Sequence, residues 1–256
     1  MKKNLLFLAC LIAITATAFA NPPKGKTKDA KKGNLAVHFK NVVDGKDLKL
    51  NDSTSFYKNA NGDDFKITTF KYYISNVSLI AKNGDKVAIP DSYFLINAAD
   101  STTLNQQITN IPEGKYTGIT FTIGVDSARN FAGAQTGVLD PAKGMFWSWN
   151  SGYIFVKLEG ESPKSTAKKN RLIFHIGGAK APNNTIRTFT QKFPKTLKIS
   201  EGKLPELELV ANASALFQGK TTVDFAKLNF TMGGPNSVIV ADNYADGLFK
   251  ITKVKN

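Results

Sequence analysis

The chain has 256 residues, a net charge of +14, two histidines and one cysteine, Cys10, which lies in an apolar N-terminal stretch. A mature domain without that cysteine has no disulfide and no thiolate chemistry, so it must be held by its core, and this length is ample for one. Two histidines exclude a paired-histidine helical zinc motif, no GxSxG elbow or P-loop is present, and scattered lysines with only Arg129, Arg171 and Arg187 as arginines do not make a nucleic-acid surface.

The N-terminus reads as a secretory leader. Lys2 and Lys3 precede a short apolar run, Leu5 to Ile14, and Ala18-Phe19-Ala20 supplies small residues for cleavage before Asn21. Lipidation of Cys10 is the weaker alternative, because few apolar residues precede it. The run is too short to span a bilayer, and no later stretch approaches that length. Residues 21–34 carry Lys24, Lys26, Lys28, Lys31 and Lys32 against one acid, Asp29. This composition predicts a flexible basic tether able to touch polyanions. The expected organisation is a leader over 1–20, the basic segment over 21–34 and one domain over 35–256.

From Leu35 the pattern is strand, turn, strand. Leu35 to Phe39 alternates, and Asp44-Gly45 and Asn61-Gly62 mark turns. Phe65 to Ile80 is a long strand pattern in which Tyr73, Ser75, Val77 and Leu79 are expected on one face. Asn83-Gly84 signals a hairpin into Lys86 to Ile89. Tyr93 to Ile96 and Tyr116 to Val125 are further strands. A long loop, 126–144, with a helical turn at Leu139-Asp140-Pro141, leads into Met145 to Gly160. Arg171 to Ile176, Thr185 to Phe193, Thr196 to Ile199 and Leu204 to Val210 follow. Short helices are expected at Ala211 to Phe217 and Ser237 to Phe249. About ten short strands without a long amphipathic helix predict an all-β domain: one antiparallel β-sandwich or partly open barrel with long loops and a short C-terminal helix.

The stretch MFWSWNSGYIFVKLEG holds both tryptophans. Trp147 and Trp149 are two apart, so a strand would set the indoles side by side. His175 ends the strand RLIFHI, facing opposite to Phe174 and Ile176. A hairpin between these stretches would place it near Phe155, with the tryptophans several residues further on, so that proximity to them is allowed but not forced. His38 points away from Val37 and Phe39. Met145 and Met232 sit beside glycine-rich turns, and thioether and imidazole donors suit Cu(I).

The ordered segments YYISNVSL, DSYFLIN, PEGKY, FTIGVDSARN, LDPAKGMFWSWNSGYIFVKLEG, FHIGG and VDFAKLNFTMGGPNSVIVADNYADGLF resemble the MbnP-like family of exported copper-associated bacterial proteins, related to MopE and CorA of methane oxidisers. The resemblance runs from about Leu35 to Phe249. It implies copper held by histidines and by kynurenine, an oxidised tryptophan made by a partner dihaem peroxidase-like enzyme. Here that tryptophan would be Trp147 or Trp149, and the histidine His175. The chain departs from the family in lacking a matching second histidine, since only His38 remains, and Met145, Met232 or an acid would have to complete the site. The expectation is therefore a non-catalytic copper-binding protein of the periplasm or outer cell surface. The alternative is a metal-free envelope binding or scaffold protein that contacts polyanions or a protein partner.

Overall fold

The structure, a computed structural model, describes residues 31–256 apart from Ser55, Asn150 and Ser151. The expected leader and residues 21–30 of the basic segment lie outside the described residues. Eleven principal strands can be followed: β1 (Lys32–Val43), β2 (Asp64–Ala81), β3 (Tyr93–Asn97), β4 (Asn105–Pro112), β5 (Gly114–Ile123), β6 (Val156–Glu161), β7 (Arg171–Ile176), β8 (Arg187–Ile199), β9 (Glu206–Asn212), β10 (Phe230–Met232) and β11 (Phe249–Lys255). The helices are α1 (Ser127–Phe131) and α2 (Gly234–Gly247). Among the described residues, no helix is long and apolar enough to cross a membrane.

The strands form a sandwich, not a closed barrel. One sheet runs β11–β9–β1–β4, and the other β8–β5–β2–β6–β7–β10, with β3 also paired to β2. Alternation along β1 sends Leu35, Val37 and Phe39 inward, where they share a core with Tyr72, Ile74 and Phe174 of the facing sheet. Two pairings are parallel, β1 with β9 and β7 with β10, so the expected purely antiparallel order is broken at these two places.

Local departures have local causes. In β2 the face does not stay in phase: Tyr72, Ile74, Val77 and Leu79 enter the main core, whereas Tyr73 packs elsewhere. Asn76 sits at φ 52°, and the pairing of β2 with β5 shifts between Ser75 and Ser78. One residue in the left-handed region, which Asn tolerates, inverts the alternation expected from period two. The segments expected as two strands at Thr185 to Ile199 are one strand, β8, interrupted by a register shift between Lys192 and Leu197. The helix expected at Ala211 to Phe217 is a single 3-10 turn, Ala213–Leu216. β1 begins at Lys32, where Gly33 lets the chain pass close to Ser200: a Cβ there would lie 2.7 Å from its carbonyl oxygen.

A second, smaller apolar cluster lies on the outer side of the larger sheet. It gathers Tyr73, Val125, Leu139, Met145, Trp147, Tyr153, Ile154 and Phe155, with Met232 packed against it. The long loop is strapped over it by hydroxyls that reach backbone carbonyls. Tyr73 Oη donates to Val138 O at 2.9 Å and Tyr153 Oη to Leu139 O at 2.8 Å. Asp126 caps α1 and Asp140 caps the turn Pro141–Lys143.

Candidate metal centre beside Trp147

The candidate site is built outward from β7. His175 lies opposite Lys157 of β6 on one side and Met232 of β10 on the other, and Lys157 lies opposite Lys71 of β2. Cross-strand partners share a face, so Lys71, Lys157, His175 and Met232 form one row across the outer face of the sheet. The hairpin expected between the tryptophan stretch and β7 is present, but His175 is opposite Lys157, two positions beyond Phe155. The reason is that the connection is centred one residue later than expected, with Glu161 opposite Arg171. Phe146–Trp147 and Gly152–Tyr153 pair as a separate small hairpin, and β6 starts at Val156.

His175 is 7% exposed, and its Nε2 lies 2.7 Å from Glu159 Oε1. Lys157 Nζ reaches the same carboxylate oxygen at 3.4 Å. The hydrogen bond from His175 and then the charge of Lys157 pull the Glu159 carboxyl down from 4.5 to about 2. Burial and the neighbouring Lys157 charge lower the ammonium of Lys71. An imidazole that donates from Nε2 to a carboxylate keeps its lone pair on Nδ1, which is the usual bonding of a metal-ligating histidine. Glu159 escaped the sequence reading as a site residue. Its signal was present in β6, where Lys157 and Glu159 alternate onto one face, but only the register connects that face to His175.

Because the folded-state pKa of Glu159 is depressed, its contribution to stability is fully present above about 4.5 and is lost as pH falls toward about 2. Glu159→Gln is expected to flatten this part of the acid-unfolding profile of the metal-free protein. Parallel profiles for wild type and variant between those values would contradict the assignment.

Trp147 sits one step along from the row. It is 5% exposed, and its benzo ring rests on the backbone beyond β7: a Cβ on Gly177 would stand 2.8 Å from the ring, and one on Gly233 3.8 Å. Its Nε1 is buried without a hydrogen-bond partner. An orphaned buried N–H is rare and calls for a physical reason. Trp149 follows in the turn, 67% exposed, with its ring centroid 5.4 Å from that of Trp147 at an interplanar angle of 41°. The side-by-side placement expected of the indoles is found, although Trp149 lies outside any strand. Both rings line an open cleft of about 530 Å³, together with Phe131, Lys180, Met232 and the glycines before α2.

The other candidate residues are placed differently. Met145 is 0% exposed inside the outer apolar cluster. His38 lies on the opposite sheet, where its Nδ1 is 2.7 Å from Asn105 Oδ1 and its cross-strand neighbour is Glu208. A gap of about 10 Å between facing sheets keeps outer-face residues of the two sheets far apart. So the structure sets Met232 beside His175 and places Met232, Trp147 and Trp149 around one cleft, with His175 two residues before Gly177 of its wall, while Met145 and His38 lie elsewhere. Among the described residues, no group of three or more His, Cys, Asp or Glu side chains could hold a metal ion. The soft donor types on this face are the His175 imidazole and the Met232 thioether, a kind of pair that suits Cu(I) better than a hard cation. Indole nitrogen carries no free lone pair and cannot add to it unless the ring is opened.

Comparison with known proteins agrees with this architecture. The family profile MbnP matches residues 32–237. Among solved structures, MbnP from Methylosinus trichosporium aligns over 86% of this chain and 98% of its own, with a TM-score of 0.53 at 15% identity. At that identity the likeness shows the fold alone. No curated protein matches the chain.

Proposed function

Since the chain belongs to the MbnP family, we propose that it is an exported copper-binding protein, a carrier or store and not a catalyst, acting in the periplasm or at the outer cell surface. Copper is its cargo. The observation that carries this reading is the placement of Trp147. It is a buried indole with an unpartnered Nε1, in the same cleft as Met232, which stands beside His175 on the adjacent strand. His175 supplies nitrogen, held in orientation by Glu159, and Met232 supplies sulfur.

Oxidative opening of the Trp147 indole would free Nε1 as an arylamine beside a new carbonyl. That gives the orphaned nitrogen a lone pair and a role as a third donor. The enzyme for this step would be the dihaem peroxidase-like partner implied by the family resemblance. Trp147 is favoured over Trp149 for modification because it is the enclosed ring beside Met232.

The test is Cu(I) titration. His175→Ala is expected to weaken binding by about 100-fold or more, beyond the roughly 10–100-fold typical of outer-shell changes, and Met232→Leu to weaken it as well. Equal binding by wild type and His175→Ala would sink the site. Peptide mass analysis of protein from its native host is expected to show one oxygen gained and one carbon lost at Trp147.

A further inference from the structure

We infer that Trp149 is the surface port through which oxidising equivalents reach Trp147, the two rings forming a relay across the wall of the site. The inference rests on the reading of Trp147 as the residue to be modified.

An oxidant too large to enter the protein has no direct access to Trp147, which is 5% exposed, whereas Trp149 is 67% exposed. With ring centroids 5.4 Å apart, the two are in van der Waals contact. The step is a simple electron transfer. A one-electron oxidant takes an electron from Trp149, and Trp147 then passes one electron to the Trp149 radical cation and restores it. The net result is a reduced oxidant and a Trp147 radical cation. Loss of the Trp149 Nε1 proton to water competes, but transfer between touching rings is the faster process. The Trp147 proton stays in place, because its own Nε1 has no acceptor.

Tyr153 and Tyr73 do not draw the hole past Trp147. The next oxidisable side chains are Tyr153 and Tyr73, and a tyrosine gives up an electron readily only when its proton has somewhere to go. Both hydroxyls are bound to backbone carbonyls, Leu139 O and Val138 O, which are not bases. Burial pushes both phenols upward. Phe146 and Phe155 are far harder to oxidise, and Tyr93 at the margin of the cluster, whose hydroxyl donates to the Asp126 carboxylate, is the competing phenol with a base beside it. The remaining path is irreversible: a water of the cleft adds to the Trp147 radical cation, and a second electron passed through Trp149 to a second oxidant, with two protons lost to solvent, leaves a hydroxylated ring, which draws the hole inward from Trp149.

The probe is photo-generated tris(bipyridine)ruthenium(III), a bulky one-electron oxidant, applied to the full chain in aerated buffer, with oxygen incorporation read residue by residue from peptide masses. Oxygen is expected at Trp147 in wild type. In Trp149→Phe it should fall to the background defined by Trp147→Phe, and in Trp149→Tyr, which restores a redox-active ring, it should return. Trp149 is exposed, so its substitution leaves the fold intact, and a near-ultraviolet dichroism spectrum checks this. Equal oxidation of Trp147 in wild type and Trp149→Phe overturns the relay while leaving Trp147 as the modified residue. Oxidation confined to Trp149 in wild type overturns both.

Discussion

Phe217→Ala is expected to cost about 3–5 kcal/mol, the usual loss for truncating a fully buried phenylalanine. Phe217 closes the 3-10 turn Ala213–Leu216 and drives its ring between the sheets. There it meets Phe65 of β2 at 5.3 Å, Phe174 of β7 at 5.1 Å and Phe225 at 4.9 Å, each in an edge-on or tilted arrangement. Each such pair adds about 0.5–1.5 kcal/mol beyond the area buried. Strands held in a hydrogen-bonded sheet cannot collapse into the hole it leaves, so the cavity term is retained. Against a total stability of about 5–15 kcal/mol, the loss is a large fraction. Denaturant unfolding should show a lowered midpoint with unchanged slope. Phe230, 51% exposed on β10, is the control: its truncation is expected to stay within about 0.5 kcal/mol. Similar losses for the two would mean that the phenylalanine cluster does not hold the sheets together.

The second large effect is expected from Gly177→Ala. The added Cβ would stand 2.5 Å from the carbonyl oxygen of Tyr153 and 2.8 Å from the ring of Trp147. Two contributions oppose each other. Alanine reduces the freedom of the unfolded chain, a gain of about 0.4–1 kcal/mol. Overpacking costs about 1–3 kcal/mol, and the cost sits at the upper end here because a backbone carbonyl cannot move aside as a flexible side chain does. Destabilisation wins. The displaced ring is Trp147, so the same substitution should change the near-ultraviolet dichroism of the tryptophan pair and weaken Cu(I) binding. Unchanged dichroism and affinity would show that Gly177 does not seat the indole.

Composition and alternation sufficed for the class of fold. Strand-length patterns, turn dipeptides and the lack of a long amphipathic helix pointed to a β-sandwich, and the end of β7 was read correctly, with His175 facing away from Phe174 and Ile176. The pairing of tryptophans two residues apart was legible as well. What period two could not carry was any feature set by a single irregular residue. Asn76 at φ 52° reverses the phase of β2, and nothing in the spacing of its apolar residues announces a left-handed backbone at that point.

The site divides along the same line. Its residue types, one histidine near two tryptophans with methionines close to glycine turns, were visible in the chain. Their grouping was not. Met232 stands beside His175 only because β10 joins β7 in parallel, a pairing between segments more than fifty residues apart that hairpin arithmetic does not reach. Glu159 becomes the partner of His175 through a register fixed where Glu161 meets Arg171 at the connection between β6 and β7. His38 is removed from consideration by lying on the other sheet. A one-dimensional pattern specifies which face a residue takes within its own strand. Which strands are neighbours, and in what register, depends on long-range pairing and core packing, so the grouping of these side chains was decided only in the folded protein.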